Sequence, residues 1–181
     1  SLRLWLAAGM AFSDRVASAR RNAIVETAVL ELPATMTTRS RMPSDTIRHA
    51  FEGSPDRLTK RLLEIRPEIF DVAASTEGVA PLAETLKWGQ PSYRPVESQS
   101  GTTIRLGCDR KAPDTPRLDV PCQTDLITQF RERYEGFLEF SGKRAFILGP
   151  SSEETGAALR HCIALALTYQ LRKRGAATGQ A

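Results

Sequence analysis

Residues 84–93 place a cation, two aromatic side chains, a glycine and a proline in one short segment, a combination that suits ligand binding. Apolar walls with a few polar groups are typical of small-molecule pockets. Trp88 and Tyr93 would supply the walls, while Lys87 or Arg105 would pair with an anionic group and Gln123 would orient it. The side chains that we expect to contact the ligand are Lys87, Trp88, Gln90, Tyr93, Arg105 and Gln123.

The same aromatic side chains have a second, structural interpretation. Trp88 and Tyr93 would then anchor a helix exit on the sheet, each burying a large apolar ring while its polar tip finds a partner. Glu84 lies three residues before Lys87, a spacing that favours a surface ion pair over an acid–base couple. The sequence leaves both interpretations of the aromatic pair open.

Motifs of the common enzyme classes are missing from the sequence. It contains no Gly-x-Ser-x-Gly elbow, no glycine-rich phosphate loop and no His-Glu-x-x-His helix. Cys122 would act as a nucleophile only beside a basic partner, and neither histidine is near it in the sequence. We therefore expect a non-catalytic protein without a cofactor, in which Cys122 is a small buried residue of a strand.

A row of carboxylates offers an alternative function in iron binding. Glu64, Glu68 and Asp71 recur at i, i+4 and i+7, which places them on one helix face, and carboxylate oxygens are suitable ligands for a hard cation such as Fe2+. Four basic residues between positions 57 and 66 crowd the same segment, so a solvated face of mixed charge explains the pattern as well. His161 and Cys162 are helix neighbours that point about 100° apart and would not hold one ion together.

The positive charge of the chain is concentrated at its ends. The formal net charge is +4, yet residues 1–41 hold six Lys and Arg against three Asp and Glu, which leaves 19 against 18 in residues 42–181. A duplex-binding domain usually carries its cations on one folded face. We therefore expect no nucleic-acid partner.

Cysteine content and hydropathy indicate the compartment. Three cysteines cannot all pair within one chain and none forms a Cys-x-x-Cys motif, which favours a reduced, cytoplasmic protein. The apolar stretch at residues 2–12 is shorter than the ~20 residues needed to cross a bilayer, so no membrane partner is expected.

Capping residues and apolar periodicity predict four helices. A helix is expected from Ser54, a good N-cap followed by proline, with a kink or restart at Arg66 ahead of Pro67. A short helix over residues 79–87 would end at Gly89. Further helices are expected at residues 124–134 and, after a capping box at residues 151–154, on to residue 174.

Alternating apolar residues predict the strands between these helices. Ile104 and Leu106 alternate with polar residues, as do Leu118, Val120 and Cys122, and the polar residues 107–116 would form a hairpin loop between the two strands. Two further strands are expected at residues 137–140 and 144–148. Strands joined by short loops favour an α+β fold, an antiparallel β-sheet covered by helices in a two-layer sandwich. The expected organisation is an N-terminal extension and linker at 1–41, one domain at 42–174 and a tail at 175–181.

The run Lys-Trp-Gly-x-Pro-x-Tyr at 87–93, with later landmarks at 122–124, 130–134, 141–146 and 166–169, resembles the YdhG-like bacterial domains of unknown function. The resemblance covers roughly residues 45–174 and implies a two-layer α/β fold. Some relatives are described as frataxin-like iron chaperones, so the resemblance also implies Fe2+ as an alternative ligand. The residues of the family motif are Lys87, Trp88, Gly89, Pro91 and Tyr93. We accordingly expect an intracellular binding protein for a small ligand or partner, or alternatively an iron chaperone.

Overall fold

The structure is a computed structural model that describes residues 43–79, 81–96, 99–109 and 111–178. It is an antiparallel sheet with helices packed against it, which confirms the expected α+β class. The expected extension at 1–41 lies outside the described residues. The elements in chain order are α1 (Asp45–His49), α2 (Asp56–Ser75), β1 (Leu82–Lys87), β2 (Gln90–Pro95), β3 (Ile104–Asp109), β4 (Ala112–Asp119), α3 (Leu126–Tyr134), β5 (Phe140–Ser141), β6 (Ala145–Ile147), α4 (Glu153–Leu167) and α5 (Tyr169–Thr178).

The sheet has the strand order β1-β2-β3-β4-β6-β5, and every neighbouring pair is antiparallel. The first four strands form a meander through short connections. The chain then runs through α3 and returns as β5 and β6, with β6 pairing on β4. Strands β2, β3, β4 and β6 therefore lie in the interior of the sheet, and β1 and β5 are its edges.

One face of the sheet forms the core together with α2, α3 and α4. Along each strand every second residue points to the same face, and paired residues of neighbouring strands share that face. The positions that point inward are almost entirely apolar. The large side chains that are almost fully buried include Tyr93, Ile104, Leu106, Leu118 and Phe146 from the sheet. Their helix partners include Leu58, Leu62, Ile65 and Ile69 of α2, Leu126 and Phe130 of α3, and Ile163 and Leu167 of α4.

Helix α2 is continuous through Pro67, so the predicted restart at Arg66 is wrong. Apolar residues are buried on both sides of the proline, and this packing outweighs the hydrogen bond that proline removes. Ser54 is not the N-cap, because that position belongs to Pro55. The capping box of α4 joins Ser152 to Thr155, one residue later than predicted.

The helix predicted at residues 79–87 is wrong, because residues 82–87 form β1 instead. Trp88 and Gly89 have φ values of 56° and 76°, which makes them the two central residues of a type I′ turn between β1 and β2. The tight turn fixes the pairing of Glu84 with Tyr93, so that β1 becomes an edge strand of the sheet. A glycine that we interpreted as a helix stop is therefore a hairpin glycine.

Three boundaries also differ from the predictions. Strands β3 and β4 extend well into residues 107–116, so most of the expected loop is paired. Strand β4 ends at Asp119, which leaves Cys122 exposed in the following loop rather than buried in a strand. The single helix expected up to residue 174 is divided at Thr168, and its second part, α5, continues to Thr178.

The division between α4 and α5 follows from a loop that docks on it. The carbonyl of Ser100 accepts hydrogen bonds from the N–H groups of Gln170 and Leu171 at 2.8 and 2.9 Å. Amide donors in a first helical turn lack partners within the helix, and this loop carbonyl satisfies two of them. No helix among the described residues is long and apolar enough to cross a membrane.

Candidate functional site

The β1–β2 hairpin separates the two aromatic residues that were expected to share a ligand wall. Trp88 occupies the turn and is 91% exposed, whereas Tyr93 lies in the middle of β2 and is 1% exposed. Tyr93 faces the helices and has no surface to offer a ligand. Trp88 does not anchor anything on the sheet, so the structural interpretation fits Tyr93 but not Trp88.

Tyr93 belongs to a buried polar cluster between α2 and the hairpin. The Arg66 guanidinium donates two hydrogen bonds to the Glu84 carboxylate, at 2.7 and 2.8 Å, and lies 4.8 Å from the centre of the Phe70 ring. Phe70 in turn meets Tyr93 edge to face at 5.8 Å. The hydrogen bond to Glu84 raises the pKa of Arg66, while burial raises the pKa of Tyr93 well above its ordinary value. Glu84 is thus the partner of Arg66, not of Lys87 as predicted, and the cluster joins a helix to the edge strand.

The remaining predicted binding residues lie in two places. Lys87 and Gln90 form the last pair of the hairpin, and Arg105 lies on β3 with its side chain on the sheet face opposite the helices. Gln123 is exposed in the loop after β4, beyond the end of the paired strands. The structure brings Lys87, Gln90 and Arg105 onto one surface, which we call the open face of the sheet.

The open face is polar in its centre. The strand register aligns Thr85, Ser92, Arg105, Asp119 and Ala145 in one row across five strands. The next row contains Lys87 and Gln90 from the hairpin, then Gly107, Arg117 and Ile147. Polar residues are common on the outward face of an antiparallel sheet, but a charged residue that is fully buried there, as Asp119 is, is unusual.

Asp119 is the most constrained group on the open face. Its side chain is fully buried, and its Oδ2 atom accepts a hydrogen bond from Nε of Arg117 at 3.1 Å. The other carboxylate oxygen, Oδ1, is buried and has no hydrogen-bond partner among the residues that the structure describes. Arg117 also donates to Asp109 at 2.7 Å, and the N–H of Lys111 together with Arg117 lowers the pKa of Asp109. Arg117 therefore bridges two carboxylates.

Arg105 lies directly beside Asp119 in the register of β3 and β4. It makes no hydrogen bond or ion pair within the described part of the chain. Gln90 packs over Gly107, since a Cβ atom added there would lie 2.9 Å from Cδ of Gln90. The row of the open face that contains Arg105 and Asp119 thus combines an unpaired guanidinium with a buried carboxylate oxygen that has no donor among the described residues.

Asp119 was missed by the sequence analysis, although Arg105 was not. Asp119 alternates with Leu118 and Val120, which correctly places Asp119 on the face away from the core. Residues at such positions are usually solvated. Its neighbour in space, Arg105, is fourteen positions earlier and is identified only by the strand register. An acidic and a basic residue at matching positions of two predicted strands would have been the available signal.

The carboxylates of the alternative iron site lie on α2 and are engaged with arginines. Glu64 pairs with Arg61 at 3.2 Å, and Glu68 pairs with Arg160 of α4. Asp71 has an interaction partner of its own. In the described ranges, no group of three or more His, Cys, Asp or Glu side chains is arranged to hold a metal ion.

His161 and Cys162 point in different directions, as their spacing predicts. Nδ1 of His161 is hydrogen-bonded to the hydroxyl of Tyr134, whereas Cys162 is buried in the core. Burial raises the pKa of the Cys162 thiol to about 12. This cysteine is a packing residue.

Comparison with known proteins yields no relative: no family model, curated protein or solved structure matches the chain.

Proposed function

We propose that the protein is a non-catalytic binding protein that takes a small polar ligand on the open face of its sheet. The observation that carries the proposal is the buried Oδ1 atom of Asp119, which has no donor among the described residues and belongs to the residue that pairs with Arg105 in the register of β3 and β4. A ligand with an N–H donor would satisfy Asp119, and an acceptor on the same molecule would bind Arg105. Amino acids, amides and short peptides have this pair of groups.

The energetics of the carboxylate support a bound donor. A buried polar atom left without a partner costs about 1–3 kcal/mol, and more when it is charged. Such atoms are rare in native proteins and call for an explanation. Hydrogen bonds that involve ionised groups are also about twice as strong as neutral ones. The free protein already carries the cost of desolvating Oδ1 of Asp119. A ligand that donates a hydrogen bond to this atom removes that cost, and this increases its affinity.

The side chains around Arg105 and Asp119 support binding without catalysis. Ser92 is fully buried in the same row as Arg105 and Asp119, and Gln90 offers an amide from the next row. Lys87 adds an exposed cation at the end of the hairpin. These groups can orient a ligand by charge and hydrogen bonding, but none of them forms a nucleophile–base pair with another.

Assignment to the YdhG-like domains is part of the proposal and rests on the motif residues of the sequence. A cytoplasmic, bacterial origin likewise rests on that resemblance and on the unpaired cysteines. The iron-chaperone alternative has the same basis, and the arginine partners of Glu64 and Glu68 give it no further support.

Native mass spectrometry of the full chain, purified without chelator, tests the binding proposal. We expect a retained small-molecule mass that disappears in Arg105→Ala and in Asp119→Asn but persists in Lys143→Ala, which removes an exposed cation outside the open face. Ligand-observed NMR with a panel of free amino acids, amides and dipeptides then identifies the class. If no compound binds in a manner that Asp119→Asn abolishes, the proposal is wrong.

An anaerobic titration of the same protein with ferrous iron tests the alternative. Saturable iron binding that is lost when Glu64, Glu68 and Asp71 are neutralised together would favour a chaperone. Iron binding that survives those changes would exclude the acidic stripe as its site.

A further inference from the structure

A second candidate site lies at one end of the sheet, where the loop between β2 and β3 meets α5. It is an open groove with a volume of about 530 Å³, within the range of small-molecule sites. None of its lining residues belongs to the Arg105–Asp119 pair. The polar side chains that line it are those of Arg94, Gln99, Thr102, Thr103, Gln170 and Arg174.

Backbone hydrogen bonds hold the walls of this groove. The N–H of Thr102 donates to the carbonyl of Ala166 at 2.9 Å, and Ser100 accepts from the start of α5 as described above. Gly101 allows this approach, because a Cβ atom there would lie 2.6 Å from Cα of Leu167 and closer still to its carbonyl group. Main-chain contacts therefore hold the backbone on both sides of the groove in place.

The described residues that line the groove carry charge of one sign. Arg94 and Arg174 line it, and no acidic side chain is among its described lining residues. Arg174 donates to the carbonyl oxygens of Gln99 at 2.9 Å and Gln170 at 3.3 Å, which holds its guanidinium at the rim. Arg94 is exposed and has no ion-pair or hydrogen-bond partner in the part of the chain that the structure describes.

Hydroxyl and amide groups surround the two cations. The side chains of Thr102 and Thr103 make no hydrogen bonds within the described ranges, and the amides of Gln99 and Gln170 also line the groove. Guanidinium groups bind phosphate through two parallel hydrogen bonds. Free hydroxyls and amides match the hydroxyl groups of a sugar or polyol, and the volume exceeds what a phosphate ion alone would occupy.

We propose that this groove binds the phosphate group of a phosphorylated sugar or polyol, with Arg94 and Arg174 on the phosphate and the threonine and glutamine side chains on the hydroxyl groups. The groove borders the open face, because Arg94 lies two residues from Ser92 along β2 and on the same side of the sheet, but it contains neither Arg105 nor Asp119. A ligand in this groove would be an anionic metabolite bound at the junction between the sheet and α5.

Isothermal titration calorimetry of the full chain at low ionic strength tests the proposal. The probes are glucose 6-phosphate, ribose 5-phosphate and glycerol 3-phosphate, with inorganic phosphate and glucose as comparisons. We expect saturable binding of at least one phosphorylated probe, at least tenfold tighter than inorganic phosphate, and no binding of glucose. Arg94→Ala and Arg174→Ala should each weaken this binding about tenfold or more.

Lys173→Ala is the matched control, because it removes an exposed cation of the same helix that does not line the groove. It should leave the affinity within about twofold of the original in a repeat titration at 0.15 M salt, where exposed charges separated by more than about 8 Å are largely screened. Asp119→Asn should also leave it within about twofold, which separates this proposal from that for the open face. Failure of all three phosphorylated probes to bind, equal affinity for inorganic phosphate, or an equal loss in Lys173→Ala would each overturn the assignment.

Discussion

Replacement of Gly101 by alanine should lower the stability of the protein more than any ordinary loop substitution. The loop that contains Gly101 lies against the end of α4 so closely that a Cβ atom would collide with the backbone of Leu167. Backbone atoms cannot rotate away as a flexible side chain can. The loop must therefore lift off the junction between α4 and α5.

The magnitude follows from the hydrogen bonds that this movement would break. They are the bond from Thr102 to Ala166 and the two bonds that the Ser100 carbonyl accepts, all between 2.8 and 2.9 Å. At about 1 kcal/mol each, their loss amounts to about 3 kcal/mol. Alanine also restricts the unfolded chain, which returns about 0.4–1 kcal/mol. The expected decrease in the free energy of unfolding is thus about 2–3 kcal/mol, a large part of the total for a small domain.

Urea unfolding followed by far-UV circular dichroism measures this quantity by linear extrapolation. Gly175→Ala is the matched control, because Gly175 lies within α5 and has nothing within 4 Å of its added Cβ atom. That variant should gain about 0.5–1 kcal/mol, since alanine is the better helix former. A free energy of unfolding for Gly101→Ala within about 0.5 kcal/mol of the original protein would refute the reasoning, as would an equal loss in Gly175→Ala.

Three further outcomes are expected. Arg66→Met should lower the free energy of unfolding by about 3 kcal/mol, because it leaves Glu84 nearly buried without its cation; adding Glu84→Gln should recover part of the loss in the same urea assay, and a fully additive pair would contradict the proposed coupling. A thiol reagent at mildly alkaline pH should label exposed Cys122 in the folded protein and reach Cys162 only after unfolding, so early labelling of Cys162 would contradict its burial. Burial raises the pKa of Tyr93 above its ordinary 10.0, so unfolded chains release that proton first and the free energy of unfolding should fall as the pH rises beyond about 10; Tyr93→Phe should flatten this decline, and an unchanged slope would exclude Tyr93 as its cause.

The fold class was accessible from sequence because its signals are local. Alternation around Ile104 and Leu106 predicted a strand, and apolar periodicity predicted the long helices, although the N-caps of α2 and α4 each lie one residue later than expected. The short segment before Trp88 was misassigned, since a glycine after a few apolar residues is typical of a helix stop and of a hairpin alike. Tertiary pairing with Tyr93 on β2 decides between the two, and a local pattern does not contain that information.

The candidate site was less accessible because it depends on register. Arg105 was recognised as a cation able to bind an anionic group, but the carboxylate beside it belongs to another strand. Asp119 is buried, and Arg117 donates to only one of its two carboxylate oxygens. Both facts depend on how three neighbouring strands are aligned. Tyr93 shows the converse, since an aromatic residue in a conspicuous motif is a core residue that touches Phe70 and the Arg66–Glu84 pair.

The exposed position of Trp88 determines what fluorescence can report about this protein. The chain has two tryptophans, and in a Trp5→Phe variant all indole emission would come from the tip of the β1–β2 hairpin. Trp88 is already in water in the folded state, so its emission would be quenched readily by iodide and would change little when the core unfolds. Because unfolding changes the Trp88 emission little, a change in that emission would indicate that a molecule has bound at the hairpin tip.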